Sequence, residues 1–283
     1  MKLNEINIRD PFILNENGRY YLYGTRAKSF GVKVMGADVY VSDNLETWSD
    51  PIPCLDSEKH GLNRGVNWAP EVHKYNGAYY MFITYTRENG LRGTCILRSE
   101  SPEGPFVPHS DGAVTPYDWE CLDGTLYIED GTPYIVFCHE HTQINDGTVC
   151  YMPLSPDLKT AAGEAVTLFA GSEPFYIKQA PPDGHYVTDG PFMHRNADGT
   201  LLMIWSTFID GQYAECLVRF TGGTIKGPFE HLDPMIDDDG GHGMIFGASD
   251  KLCLTFHSPN RSLYERPVII EIEEAGGSLK IKR

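Results

Sequence analysis

Asp10-Pro11-Phe12-Ile13-Leu14-Asn15-Glu16-Asn17-Gly18-Arg19-Tyr20-Tyr21-Leu22 holds two strand-like runs joined by Asn-Gly, a dipeptide that tolerates the positive φ angles of a tight hairpin turn. The same order returns in Ala69-Pro70-Glu71-Val72, then Asn76-Gly77, then Tyr79-Tyr80-Met81. It returns again from Asp123-Gly124-Thr125-Leu126 through Asp130-Gly131 to Tyr134-Ile135-Val136, and from Asp189-Gly190-Pro191-Phe192 through Asp198-Gly199 to Leu201-Leu202-Met203. A fifth unit, Gly241-His242-Gly243-Met244 to Leu252-Cys253-Leu254, carries a histidine where the others carry acid. Turn glycines at 18, 77, 131 and 199 are 59, 54 and 68 residues apart, a period of the kind that marks propellers and other repeat folds.

A third apolar run follows most hairpins, as in Val39-Tyr40-Val41-Ser42 and Cys216-Leu217-Val218-Arg219, and Pro or Gly then ends the unit. No stretch keeps a helical period for more than two or three turns. Short strands in sets of three or four, repeated five times, predict an all-β, five-bladed β-propeller spanning 1–283 as a single domain. Closed all-β folds of 283 residues are ordinary single units, and no Gly/Ser-rich or charge-block linker divides the chain.

The chain has 23 Lys plus Arg against 39 Asp plus Glu, a net charge of −16. Such a surface repels phosphate backbones, so neither nucleic acid nor an anionic membrane is expected as a partner, and a neutral substrate is. The opening Met1-Lys2-Leu3-Asn4-Glu5 lacks the apolar core of a signal peptide, and no run of eighteen apolar residues occurs; the expected location is cytoplasmic. Seven scattered cysteines in apolar contexts read as reduced core thiols rather than a disulfide framework or a zinc site.

First strands of propeller blades line the central channel, so Asp10, Glu71, Asp123 and Asp189 are expected to converge at one end of it. Carboxylates crowded in a partly dry site repel one another, which raises some pKa values and leaves others low. Two such groups facing a sugar suffice for glycoside hydrolysis. Asp130, Asp183 and Asp198 precede glycines and read as turn residues.

This ordered set resembles glycoside hydrolase family 43, which comprises inverting arabinofuranosidases, xylosidases and arabinanases built as five-bladed propellers. The resemblance runs from Arg9-Asp10-Pro11 to Arg266-Pro267. It implies that Asp10, in Arg9-Asp10-Pro11-Phe12-Ile13, is the general base. It implies that Asp123 orients the acid and tunes its pKa, although Leu122-Asp123-Gly124 lacks the family's proline. It implies that Asp189, in Thr188-Asp189-Gly190-Pro191, is the general acid where the family usually has Glu; Glu173, in Ser172-Glu173-Pro174, is the alternative.

Asn67-Trp68-Ala69-Pro70-Glu71 is similar to the family's Trp-Ala-Pro-Asp segment. Trp68 offers a flat face for a sugar ring, Phe12 and Trp205 are weaker aromatic candidates, and Glu71 can bond sugar hydroxyls or a cation such as Arg98. Arg261, in His257-Ser258-Pro259-Asn260-Arg261, resembles a substrate-facing arginine. His242 corresponds to a channel histidine that in several members helps hold a metal ion, commonly calcium, mostly through waters. No cofactor is required by this reading, and a structural Ca²⁺ in the channel stays open, since Ca²⁺ prefers oxygen ligands.

The expected function is removal of terminal α-L-arabinofuranosyl or β-D-xylosyl residues from plant-type oligosaccharides by an inverting acid/base mechanism. An endo-acting arabinanase or xylanase is one alternative. A propeller glycoside phosphorylase is another, with His194 and Arg195 near Asp189 as phosphate ligands. A non-catalytic carbohydrate-binding propeller is a third. Linkage and oligomeric state are not encoded legibly.

Overall fold

In a computed structural model, which describes residues 1–26 and 35–282, twenty strands form five four-stranded antiparallel sheets, each built from consecutive strands. The first blade holds β1 (Ile8–Glu16), β2 (Arg19–Arg26), β3 (Ala37–Ser42) and β4 (Ile52–Leu55). The second holds β5 (Asn67–Tyr75), β6 (Ala78–Thr86), β7 (Arg92–Ser99) and β8 (Val107–Ala113). The third holds β9 (Cys121–Glu129), β10 (Thr132–His139), β11 (Thr148–Pro153) and β12 (Val166–Ala170). The fourth holds β13 (Asp189–Arg195), β14 (Leu201–Ile209), β15 (Gln212–Phe220) and β16 (Phe229–Ile236), and the fifth β17 (Gly241–Ala248), β18 (Lys251–Ser258), β19 (Arg266–Glu274) and β20 (Leu279–Ile281). The chain is a five-bladed β-propeller, and its first strands β1, β5, β9, β13 and β17 pack side by side as a closed ring.

The turn dipeptides behave as the sequence predicts. Asn17-Gly18, Asn76-Gly77 and Asp130-Gly131 each adopt two successive positive φ angles, the geometry that matches the twist of the flanking strands. At Asp198-Gly199 only the glycine does, because Asn196 and Thr200 close a longer loop through the Asn196 N–H to the Thr200 carbonyl, 2.9 Å. Aromatic and aliphatic side chains fill the spaces between blades: Tyr23, Ile83, Phe106 and Trp48 pack in one cluster, and Phe137 and Ile96 in another. Trp205 is fully buried, 5.0 Å from the ring of Phe169, so it is core rather than a sugar platform. All seven cysteines are free and buried.

Each blade is contiguous in sequence, so the ring closes by side-chain contacts between the chain's two ends rather than by a shared sheet. The Arg9 guanidinium reaches the Glu265 carboxylate at 3.1 Å, and Glu265 is fully buried. The Asn7 amide donates to the Glu265 carbonyl at 2.7 Å, the Asn15 amide to the Gly247 carbonyl at 2.7 Å, and Arg266 Nε to the Asn4 carbonyl at 3.0 Å. Removing one partner of a buried ion pair leaves the other charge uncompensated, at a cost of about 3 kcal/mol or more. Glu265→Ala should therefore lower the unfolding free energy by that order, seen as a lower urea midpoint at an unchanged m-value; a midpoint within experimental error of wild type would show that the ring closes without this pair.

Candidate active site

All five inner strands break register at the same place. The irregularity lies between Arg9 and Phe12 in β1, Trp68 and Glu71 in β5, Asp189 and Phe192 in β13, and Gly241 and Met244 in β17; in the third blade it lies opposite β10 between Val136 and Cys138. In each bulge one residue takes a left-handed backbone: Asp10 (φ 51°), Ala69 (φ 45°), Asp123 (φ 55°), Gly190 (φ 48°) and His242 (φ 53°). Such bulges re-aim side chains and recur beside active sites. Asp10, Asp123 and His242 are thus true equivalents, while Asp189 stands one residue earlier in its bulge and Glu71 two residues later. The sequence repeat places the four carboxylates at nearly equivalent positions, and the register separates them.

Two tiers of side chains result. The left-handed positions place Asp10, Asp123 and His242 on the floor of a cavity of about 480 Å³. The residues just before them, Arg9, Trp68, Leu122 and Asp189, also line it. In the fourth blade the left-handed position is glycine because a Cβ there would sit 2.7 Å from the His242 ring.

A residue in a bulge has a backbone N–H that the ladder does not satisfy, and a buried donor needs an acceptor. In four blades the second strand of the preceding blade supplies one. Ala69 donates to Thr25 Oγ1 at 2.6 Å, Asp123 to Thr84 Oγ1 at 2.9 Å, His242 to Ser206 Oγ at 2.6 Å and Asp10 to His257 Nδ1 at 3.2 Å. The fifth such position is Cys138, which stands opposite Leu122 as Thr25 stands opposite Arg9. A thiol is a weak acceptor. The Gly190 N–H goes instead to Asp123 Oδ2 at 3.1 Å, which turns that carboxylate toward the fourth blade.

His242 Nδ1 lies 3.2 Å from Asp10 Oδ1 and 3.7 Å from Asp123 Oδ2, so the two carboxylate oxygens are within about 7 Å of each other. Burial disfavours the His242 imidazolium, but Asp10, Asp123 and Asp189 outweigh it and raise its pKa to about 9. Burial also pushes Asp10 up, yet His242 and Arg9 overcome it and hold this carboxyl below its usual value. Asp123 is driven up to about 8, first by burial and then by Asp189 and Asp10. Asp189 is raised by burial and next by Glu140, while a 2.9 Å hydrogen bond from the Tyr213 hydroxyl opposes the shift. His257 is pushed down to about 3 by burial; its Nδ1 accepts the Asp10 N–H, so Nε2 carries the proton toward Asn260 Oδ1 at 3.2 Å.

Sequence reasoning did not single out Glu140 or Arg92. Glu140 follows β10 as the cap of a short helix, α1 (His141–Ile144), and is 3% exposed on the cavity wall. Arg92 Nη1 holds it at 3.0 Å and Arg92 Nε holds Glu120 at 2.8 Å, with the guanidinium 5.2 Å from the centre of the Trp68 ring; His141 Nδ1 also contacts Glu140. The charged run His139-Glu140-His141 directly after an apolar strand was the available signal.

Other predicted residues lie elsewhere. Glu71 is buried against His73 Nε2 at 3.0 Å, and Phe12 packs its ring 5.0 Å from His73 in the core. Arg98 pairs with Glu100, not Glu71. Arg261 is exposed, with its guanidinium over Tyr264, whereas its neighbours Asn260 and Ser262 line the cavity. Glu173 is exposed and accepts the Ala170 N–H at 3.0 Å, outside the cavity lining. His194 and Arg195 face Glu274 and Glu129, away from the cavity. Among the described residues no group of three or more His, Cys, Asp or Glu is arranged to hold a metal ion. His242 turns Nδ1 to its carboxylates, which leaves Nε2 as the ring atom that could face a cation.

These carboxylates sit in the architecture of a known class of enzyme. The family model for glycosyl hydrolases family 43 matches residues 4–268. The chain belongs to that family. Its backbone superimposes with a TM-score of 0.88 on the endo-arabinase from Bacteroides thetaiotaomicron VPI-5482, at 36% identity over 98% of each chain. A thermostable family-43 glycoside hydrolase gives a TM-score of 0.85 at 25% identity, over 100% of this chain and 96% of the other. Among curated proteins it is 27% identical to the arabinoxylan arabinofuranohydrolase of Bacillus subtilis (strain 168), over 57% of this chain and 38% of that protein. The chain is also 24% identical to xylosidase/arabinosidase 43A of Humicola insolens, over 48% of this chain and 44% of that protein.

Two predictions follow from the capping pattern and from a buried acid beneath it. Cys138→Ser supplies the acceptor found in the other blades, so the Gly190 N–H should leave Asp123 and kcat should fall by up to about a hundredfold, the scale for a group moved by about 1 Å at a reacting centre. Cys138→Ala should keep near-wild-type kcat; equal loss in both variants would contradict the assignment. Glu215, fully buried, accepts the Gly243 N–H at 2.8 Å, and burial raises its pKa from the ordinary 4.5 to about 8. Unfolded chains ionise this group near 4.5 while the folded protein keeps its proton to about 8, so it costs stability as pH rises across that window. Glu215→Gln should lose less thermal stability than wild type between pH 5 and 8, and parallel melting curves would show that Glu215 is ionised throughout.

Proposed function

We propose that the protein hydrolyses α-L-arabinofuranosyl or β-D-xylosyl linkages of neutral pentose oligosaccharides by a single displacement. The observation that carries this reading is the convergence of Asp10, Asp123 and Asp189 on one cavity, with environments that drive their pKa values apart. The names of the family-43 relatives, which include an arabinofuranohydrolase, a xylosidase/arabinosidase and an endo-arabinase, support the sugar class.

Asp10, kept ionised by His242 and Arg9, takes a proton from water as the water oxygen bonds to the anomeric carbon. Asp189, kept protonated by burial and by the negative charge of Glu140, gives its proton to the departing glycosidic oxygen as that bond breaks. Asp123, fixed by the Gly190 N–H and raised in pKa, shares with Asp189 the proton that the pair retains below about 8, and so keeps the acid supplied with its proton. Trp68, stiffened by Arg92, gives the sugar a flat apolar wall.

The test is hydrolysis of p-nitrophenyl α-L-arabinofuranoside and β-D-xyloside and of the matching oligosaccharides. Asp10→Asn should lower kcat by roughly 10²–10⁴-fold, the usual range for a general base; undiminished turnover would remove Asp10 from the mechanism. The pH profile of kcat/KM should fall on the alkaline side near the 8 of the coupled acid cluster, because protons there are lost from the Asp123 and Asp189 pair. Glu140→Gln removes a negative charge that raises Asp189, so its alkaline limb should move to lower pH; a limb that stays or rises would contradict the role given to Glu140.

A further inference from the structure

Of the residues that stand just before the bulges, Arg9, Trp68, Leu122 and Asp189 carry long or polar side chains, whereas the fifth, Gly241, has none. The Tyr213 ring takes up the space at Gly241, where an added Cβ would sit 2.7 Å from it. Tyr213 is the second residue of β15, is buried, and stands outside the cavity lining. Its ring is fixed from two further sides, stacked on His257 at 5.4 Å and 26° and packed against Phe208 at 5.2 Å. His257 is itself committed, because its Nδ1 takes the Asp10 N–H and its Nε2 faces Asn260 Oδ1. One ring thus spans the distance between the base and the acid.

From this fixed position the Tyr213 hydroxyl donates to Asp189 Oδ2 at 2.9 Å. A protonated carboxyl has one oxygen that carries the hydrogen and one that only accepts. A donor held on Oδ2 makes that the accepting oxygen, so the proton belongs to Oδ1. Asp189 lines the cavity while Tyr213 lies behind it, which leaves Oδ1 as the oxygen free to face a substrate. When the proton leaves, Oδ2 gains negative charge, and a hydrogen bond to a charged acceptor is about twice as strong as a neutral one. That gain appears only as the acid gives up its proton, so it lowers the barrier rather than tightening substrate binding. Arg9 and Asp10 from β1, Asp123 from β9, Glu140 and His141 after β10, and His242 from β17 act on Asp189 through their charges. Tyr213 adds no charge to this set and keeps its own proton, because burial and then Asp189 raise it well above its ordinary range. We propose that Tyr213 is the positioning residue of the acid: its hydroxyl holds Asp189 with Oδ1 toward the scissile oxygen and steadies the carboxylate that forms. The Oδ1 proton passes to the departing oxygen as the glycosidic bond breaks and its electron pair moves to that oxygen; Tyr213 gives up nothing.

This inference rests on the glycosidase reading, and a measurement without turnover separates the two. Tyr213→Phe keeps the ring and its packing and removes only the hydroxyl. On xylo- or arabino-oligosaccharides, whose departing oxygen needs a proton, kcat should fall by about tenfold or more with KM within about twofold. On p-nitrophenyl glycosides, whose leaving group departs with little help from an acid, the loss should be far smaller. The alkaline limb of kcat/KM should move to higher pH, because the hydrogen bond that opposes the rise of Asp189 is gone. Site-specific 3-fluorotyrosine at the same position, a stronger donor, should move it to lower pH. Equal losses on both kinds of substrate, or a limb unmoved in both variants, overturns the proposal. Carbon-13 NMR of protein labelled at its aspartate carboxyls, with Asp189 identified by the signal lost in Asp189→Asn, follows the same titration without substrate. An Asp189 titration that moves up in Tyr213→Phe, in a protein whose wild type hydrolyses neither kind of substrate, supports the hold of Tyr213 on Asp189 and overturns the glycosidase reading. An Asp189 titration that does not move overturns the role of Tyr213 whatever the turnover.

Discussion

One unsatisfied backbone N–H per blade, created by the bulge in each inner strand, is the constraint around which the centre of this propeller is built. A left-handed residue at that point costs backbone strain for anything but glycine, and the freed donor must be met inside a ring with little room for water. Thr25, Thr84, Ser206 and His257 meet it from the preceding blade. The same five bulges aim Asp10, Asp123 and His242 inward, so the device that closes the ring also gathers the charges. Where the sequence places Cys138 instead of an oxygen or nitrogen acceptor, Asp123 takes over, and a structural requirement becomes the orientation of a functional carboxylate.

Electrostatics then divide the labour among similar groups. Two like charges within about 7 Å repel by at least about 2 kcal/mol at an effective dielectric near 20, enough to move a carboxyl's titration by more than a unit. His242 answers mainly to Asp10, at 3.2 Å, and leaves Asp123 the less compensated partner at 3.7 Å. The outcome is one carboxyl below its usual range and two above it. Arg9 is tied to Glu265, and Arg92 to Glu120 and Glu140, so the cavity's two guanidiniums stiffen its walls.

The architecture was legible because its signals are local: Asn-Gly and Asp-Gly turns and Tyr-rich strands recur with the blade period, and each needs only its neighbours to act. The convergence of Asp10, Asp123 and Asp189 was legible from the same period, and the channel position of His242 from the family resemblance. What escaped depends on geometry across blades. A bulge shifts side-chain phase by one residue, which put Glu71 against His73 although the repeat grouped it with the cavity carboxylates, and left Phe12, its counterpart in β1, in the core. Glu140 belongs to no repeat position, and its place on the wall is set by Arg92 from another blade. Arg261 and Asn260 are adjacent in sequence, yet only Asn260 lines the cavity.

The central claim, that Asp10 activates water while Asp189 protonates the leaving oxygen, fixes the stereochemistry of the product. Proton NMR of the first sugar released from an aryl arabinofuranoside or xyloside, recorded before mutarotation, reads it directly. The account predicts an anomeric configuration opposite to that of the substrate; release of sugar with retained configuration would mean a carboxylate attacks the sugar itself and would contradict it.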